Sequence, residues 1–166
     1  MSAPPTNELH PACVPLSFLL GTWRGAGVGG YPTLESDFNF VQQVTFSHVG
    51  KPFLAYESRS WLADESGEPV RPGGSEAGFW RPIGEGRLEV VLSHPTGVAE
   101  IWYGDFTGAR IELATDAVVR TSTAKEVTAG HRLYGLVEGD LAYAYDMAAV
   151  GQPLQAHLSA RLVKAG

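Results

Sequence analysis

From Ser36 onward the chain alternates. Phe38, Phe40, Val44, Phe46 and His48 share one parity, with Gln42 as the exception, while Asp37, Asn39, Gln43, Thr45 and Ser47 share the other with Val41. A period of two marks strands with one face in a core and the other in solvent. The same reading predicts strands over residues 53–62, 77–81, 87–94, 97–105, 110–115, 118–127, 131–138, 141–147 and 155–162. Tight-turn residues separate them, at Gly84-Glu85-Gly86, Pro95-Thr96-Gly97, Thr107-Gly108 and Glu138-Gly139-Asp140. Residues 63–74, with Asp64-Glu65-Ser66-Gly67 and Arg71-Pro72-Gly73-Gly74, read as an exposed hairpin loop whose charges need no functional explanation.

About ten short strands joined by hairpin turns, with no long helical pattern, predict an all-β fold: a ten-stranded antiparallel up-and-down β-barrel of the fatty-acid-binding-protein or lipocalin type. Closure removes the vulnerable sheet edges, and a barrel of this strand number is wide enough to hold a ligand. Pro15 to Leu20, with proline at the start and Gly21 at the end, predicts one short N-terminal helix. Residues 1–14 are expected to form a flexible leader, and 15–166 a single domain. Glycines at 21, 25, 27, 29 and 30 mark a stretch where strands bend or another body approaches closely.

Composition narrows the function. The chain has 166 residues, 44% hydrophobic and 18% charged, which suffices for a core of ordinary size. A net charge of -6 lacks the basic excess that nucleic acid or an anionic membrane surface selects. One cysteine, Cys13, allows no internal disulfide and fits a reducing, cytoplasmic setting. No segment approaches the roughly 18 apolar residues of a membrane-spanning helix.

The chemistry rests on histidine. The chain carries no Gly-x-Ser-x-Gly elbow, phosphate loop, His-Glu-x-x-His or spaced cysteine pair. His10, His94 and His131 read as exposed, and His48, on the apolar face of its strand, reads as a buried, hydrogen-bonded histidine with a ligand or pocket role as the alternative. His157 follows the turn-like Gly151-Gln152-Pro153-Leu154 and opens the last strand, which places its imidazole at a barrel mouth. There it fits either a plain strand histidine or an iron ligand whose other ring nitrogen donates to a carbonyl.

Gly21-x-Trp23-x-Gly25-x-Gly27-x-Gly29-x-Tyr31-Pro32 resembles the Gly-Trp-Gly-Gly-Gly-Tyr-Pro signature of the nitrobindins, a family of haem-binding β-barrels. The similarity continues through Phe46 to Leu54, Thr123 to Thr128 and Val150 to Leu158. The resemblance implies one haem b per chain at one end of the barrel, with His157 as axial iron ligand and Thr33 and Lys125 in contact with the haem. An ammonium such as that of Lys125 can pair with a haem propionate. Trp23 is expected to pack across the closed end, with a cation of the last strand, Arg161, stacked on its face.

The family further implies binding of nitric oxide and isomerisation of peroxynitrite to nitrate at ferric iron. A distal pocket mainly of Phe, Val and Leu is expected, favouring simple diatomic or anionic ligands over oxygen activation. The competing reading is a non-catalytic barrel that senses or carries nitric oxide, or holds a small hydrophobic ligand. A homodimer is compatible with either.

Overall fold

A computed structural model describes residues 7–166 of the chain. Ten antiparallel strands run in sequence order around a closed barrel: β1 (Gly21–Gly29), β2 (Phe38–Ser47), β3 (Leu54–Ala63), β4 (Pro69–Gly84), β5 (Arg87–His94), β6 (Val98–Thr107), β7 (Arg110–Arg120), β8 (Val127–Val137), β9 (Asp140–Ala149) and β10 (Gln155–Lys164). Pairing of β10 with β1, from Trp23↔Lys164 to Gly29↔Leu158, closes the sheet.

Three strand assignments differ from the sequence expectation, the first being the glycine-rich 21–29, which forms β1 although no strand is predicted there. Half of the expected loop at 63–74 is strand, because β4 begins at Pro69 and pairs with β3 through a ladder interrupted between Arg59 and Trp61 and again between Leu62 and Ala63. A bulged ladder tolerates Pro72, which has no N–H to contribute. Residues 118–120 continue β7, and the chain then leaves the sheet at 121–126, so the expected strand over 118–127 does not exist as one element.

The N-terminal helix is a 3-10 helix over Pro11–Leu19, starting four residues before the expected Pro15. His10 caps it, its Nδ1 accepting the Ala12 N–H at 3.0 Å. Cys13, Leu16 and Leu19 recur every three residues, the period that stacks side chains on one face of a 3-10 helix, and all three are fully buried. That face plugs one end of the barrel, so Cys13 belongs to the core. Residues 1–6 of the expected leader lie outside the described residues.

Trp23 packs at the plugged end, where its Nε1 donates to the Leu19 carbonyl at 2.9 Å. The cation over its ring is Lys164, at 4.6 Å from the centroid. Arg161 is instead on the outer face, bonded to Asp140 and Glu138. The reason is parity: Ala160 and Leu162 face the core, so Arg161 between them cannot.

Glycine on the inner side of β1 lets neighbours close in. A Cβ at Gly27 would lie 2.4 Å from Phe40 Cζ and 2.5 Å from the Ser159 carbonyl oxygen. Along β2, Phe40, Gln42, Val44 and Phe46 are buried, as the alternation predicts. Gln42 is accommodated by partners, donating to Ser58 Oγ at 2.8 Å and accepting from the Tyr143 hydroxyl at 2.7 Å. No helix among the described residues is long and apolar enough to cross a membrane.

Candidate haem site at the open end

The end opposite the helix carries the loops β1–β2, β3–β4, β5–β6, β7–β8 and β9–β10. His157 sits here, and its direction depends on a fault in the ladder. Leu158 pairs with Tyr145 and Ala156 with Asp146, so His157 is the extra residue of a β-bulge. In an unbroken strand it would face outward, opposite in parity to the buried Ala160 and Leu162. The bulge turns the imidazole inward. There it meets Tyr31, Phe38 and Tyr145 edge-on, with ring centroids at 5.4, 6.4 and 5.8 Å.

One ring nitrogen is committed. His157 Nδ1 lies 3.0 Å from the Gly30 carbonyl oxygen, and the Gly30 N–H donates to the His157 carbonyl at 2.9 Å. A carbonyl can only accept, so Nδ1 carries the proton and Nε2 keeps a free lone pair. Burial lowers the imidazole pKa from its ordinary value, and the bond to Gly30 opposes this only in part. The ring is therefore neutral at pH 7, the form that binds a metal.

Beside it lies a cleft of about 1250 Å³, bordered by Tyr31, Phe38, Leu62, Val70 and Leu158 and by the charged Asp37, Asp64, Glu65, Arg71 and Asp146. Cofactor clefts commonly measure ~300–1,000 Å³. The space, the free Nε2 and the largely apolar inner wall fit a haem. Asp64, Glu65 and Arg71, dismissed as loop charges on sequence grounds, are part of this border.

Thr33 and Lys125 are both exposed and on loops at this end. Thr33 lies in the β1–β2 turn, next to Pro32 of the cleft wall. Lys125 is on the β7–β8 loop, which is fastened to the β9–β10 turn ahead of His157. Val150 N–H donates to the Glu126 carbonyl and Gly151 N–H to its carboxylate, at 2.9 and 2.8 Å. His48, by contrast, bonds its own turn, with Nδ1 accepting the Gly50 N–H at 3.1 Å.

Deeper in the barrel is a charged cluster with no sequence signal. Arg132 is buried and holds both carboxylate oxygens of Glu76, at 2.7 and 2.8 Å. Its guanidinium stacks between Trp102 and Tyr145, at 4.8 and 4.6 Å from their ring centroids. His94, expected to be exposed, is half-buried and bonded to Glu100, with Glu76 Oε2 3.7 Å away. Burial pushes the Glu76 carboxyl up, but the charge and hydrogen bonds of Arg132 with those of His94 and Tyr56 more than offset it, leaving it at about 2. The cluster is a charged inclusion in an otherwise apolar core. Although Glu76, His94 and Glu100 have metal-ligand chemistry, these hydrogen bonds already occupy the Glu76 carboxylate and join His94 to Glu100.

Residues 12–164 match the model of the THAP4-like, heme-binding β-barrel domain. The chain belongs to this haem-binding family. Its relatives include a peroxynitrite isomerase of Nocardioides sp., 57% identical over 95% of this chain and 96% of that protein. Another is a ferric nitrobindin-like protein of Kineococcus radiotolerans, 47% identical over 98% of both. Among solved structures, Rv2717c from M. tuberculosis is 43% identical, with a TM-score of 0.85 over 96% of this chain and all of that one. The nitrobindin resemblance of the opening signature therefore extends through sequence and fold together.

Proposed function

We propose that this member of the haem-binding barrel family holds one haem b through His157 alone and isomerises peroxynitrite to nitrate. The observation that carries the reading is the His157 imidazole, turned inward by a bulge, with Nδ1 on Gly30 and Nε2 free beside the cleft. Peroxynitrite isomerases at 52–57% identity support the reaction. Bound haem would supply the ferric iron at which peroxynitrite rearranges.

The chain's own part is to hold and to admit. His157 would hold the iron through Nε2, Thr33 and Lys125 would contact the haem, and the Lys125 ammonium would pair with a propionate. Apolar residues such as Phe38 and Leu158 exclude water from the haem face. Nitric oxide is a small diatomic that the same iron would take, so its binding belongs to the same proposal. The setting is cytoplasmic, in keeping with a single, buried Cys13.

Hemin titration followed by addition of peroxynitrite and, separately, nitric oxide tests this. The expected result is one haem per chain, a shifted Soret band with nitric oxide and faster nitrate formation with loaded protein than with apoprotein. His157→Ala should lose most haem affinity. A variant with full affinity and an unchanged spectrum overturns the ligand assignment. Equal nitrate rates with and without haem leave the non-catalytic nitric oxide carrier in its place.

A further inference from the structure

We propose that Tyr31 is the positioning residue for His157, pre-setting the imidazole before haem arrives. The inference rests on the reading that His157 holds the haem. It starts from an unequal strand end. β9 runs to Ala149, but β10 begins opposite Met147, at Gln155. The last residues of β9 therefore have no β10 partner, although Ala149 is buried. Buried backbone groups need partners from somewhere else.

The Ala149 carbonyl accepts the Gln152 N–H at 2.9 Å, and Tyr31 supplies the partner for the Ala149 N–H from the other side of β10. Its hydroxyl accepts the Ala149 N–H at 2.9 Å and donates to the Met147 carbonyl at 3.0 Å, with the Ala149 carbonyl at 3.3 Å as the alternative acceptor. This fastens the first turn of the β1–β2 loop to β9 across the start of β10, where the His157 bulge lies. The residue before it, Gly30, bonds His157 twice, through its N–H and its carbonyl.

Residues 30 and 31 thus form a bracket. Gly30 fixes which nitrogen carries the proton, and the Tyr31 ring, 79° to the imidazole at 5.4 Å, limits rotation about its Cβ–Cγ bond. Phe38 and Tyr145 close two further sides. The bracket is as rigid as its attachment to β9, and that attachment is one hydroxyl. Without it the Gly30 carbonyl can drift, and the imidazole loses both its tautomer and its angle. Such outer partners of a metal-binding histidine characteristically govern affinity.

Tyr31→Phe keeps the ring and removes the hydroxyl. Tyr143→Phe is the control, since it also deletes one interior hydroxyl, bonded to Gln42 and away from the bracket. In hemin titrations Tyr31→Phe should bind on the order of 10-fold more weakly. The iron–histidine stretching band of the ferrous protein should shift or broaden. Tyr143→Phe should leave both unchanged. A Tyr31→Phe protein with wild-type affinity and band, or a Tyr143→Phe protein with the same losses, overturns the proposal.

A measurement on wild-type apoprotein covers the case in which Tyr31→Phe does not fold. Long-range proton–nitrogen NMR of His157 should show the Nδ1-protonated neutral tautomer. A dominant Nε2-protonated form refutes the bracket without reference to haem. Wild-type protein that takes up no hemin refutes the haem reading instead.

Discussion

Arg132→Met removes the cation from the centre of the barrel while keeping most of the length of its side chain. Glu76 is then left inside with only Tyr56 and the more distant His94 for company. Breaking a buried pair by deleting one partner costs about 3–5 kcal/mol, because the surviving charge has neither water nor counter-ion. Burial alone would push the Glu76 carboxyl up, and Arg132, with His94 and Tyr56, holds it well below its ordinary value instead, so removing the guanidinium takes away the main group that keeps this carboxylate charged.

Urea unfolding of the apoprotein, followed by tryptophan fluorescence, measures the loss directly. The sign of the pH dependence sharpens the test. In the wild type the Glu76 contribution is complete above the ordinary carboxyl value of 4.5 and disappears as pH falls towards 2. In the variant the folded state favours protonation, so its deficit should shrink on acidification. Adding Glu76→Leu to Arg132→Met should restore much of the stability by removing the stranded charge. A single-variant loss below about 1 kcal/mol, a deficit that grows with acid, or no recovery in the double variant refutes the reasoning.

Gly27→Ala should destabilise by about 1–3 kcal/mol, since the added methyl meets the Ser159 backbone oxygen as well as the movable Phe40 ring. An unchanged melting temperature would contradict the close approach of β1 to its neighbours. For His94, burial lowers the imidazole pKa, but the Glu100 bond and the charges of Glu76 and Glu100 outweigh it and raise it above 6.5. Its contribution is therefore full below pH 6.5 and is lost as pH rises through the higher folded value. His94→Gln should flatten that alkaline decline in pH-dependent urea midpoints; an unaltered slope would place the titration elsewhere.

Most of the barrel is legible in the order of residues because a strand with one buried face must alternate. The β2 parity from Phe38 to Phe46 and the glycine turns between later strands survive in the structure with small boundary changes. The early part of β4 is hidden by Arg71-Pro72-Gly73-Gly74, whose turn-like chemistry is overridden by pairing with β3, including a bond from Ser60 Oγ to the Gly74 carbonyl at 2.8 Å. Arg132 and Glu76 are hidden for another reason. They are 56 residues apart, and neither position announces that a partner waits across the barrel.

The sequence by itself determined a closed all-β barrel and supplied, through its opening signature, the family and His157 as the residue of interest. It could not determine where that imidazole points. Direction along β10 depends on a bulge, which is a mismatch between two strands and has no existence in one of them. The Gly30 carbonyl, the Tyr31 hydroxyl bridge and the Arg132–Glu76 pair likewise appear only when distant segments share one interior. Alternation fixes which face a regular residue occupies; tertiary pairing alone decides where that regularity breaks and which nitrogen is left free.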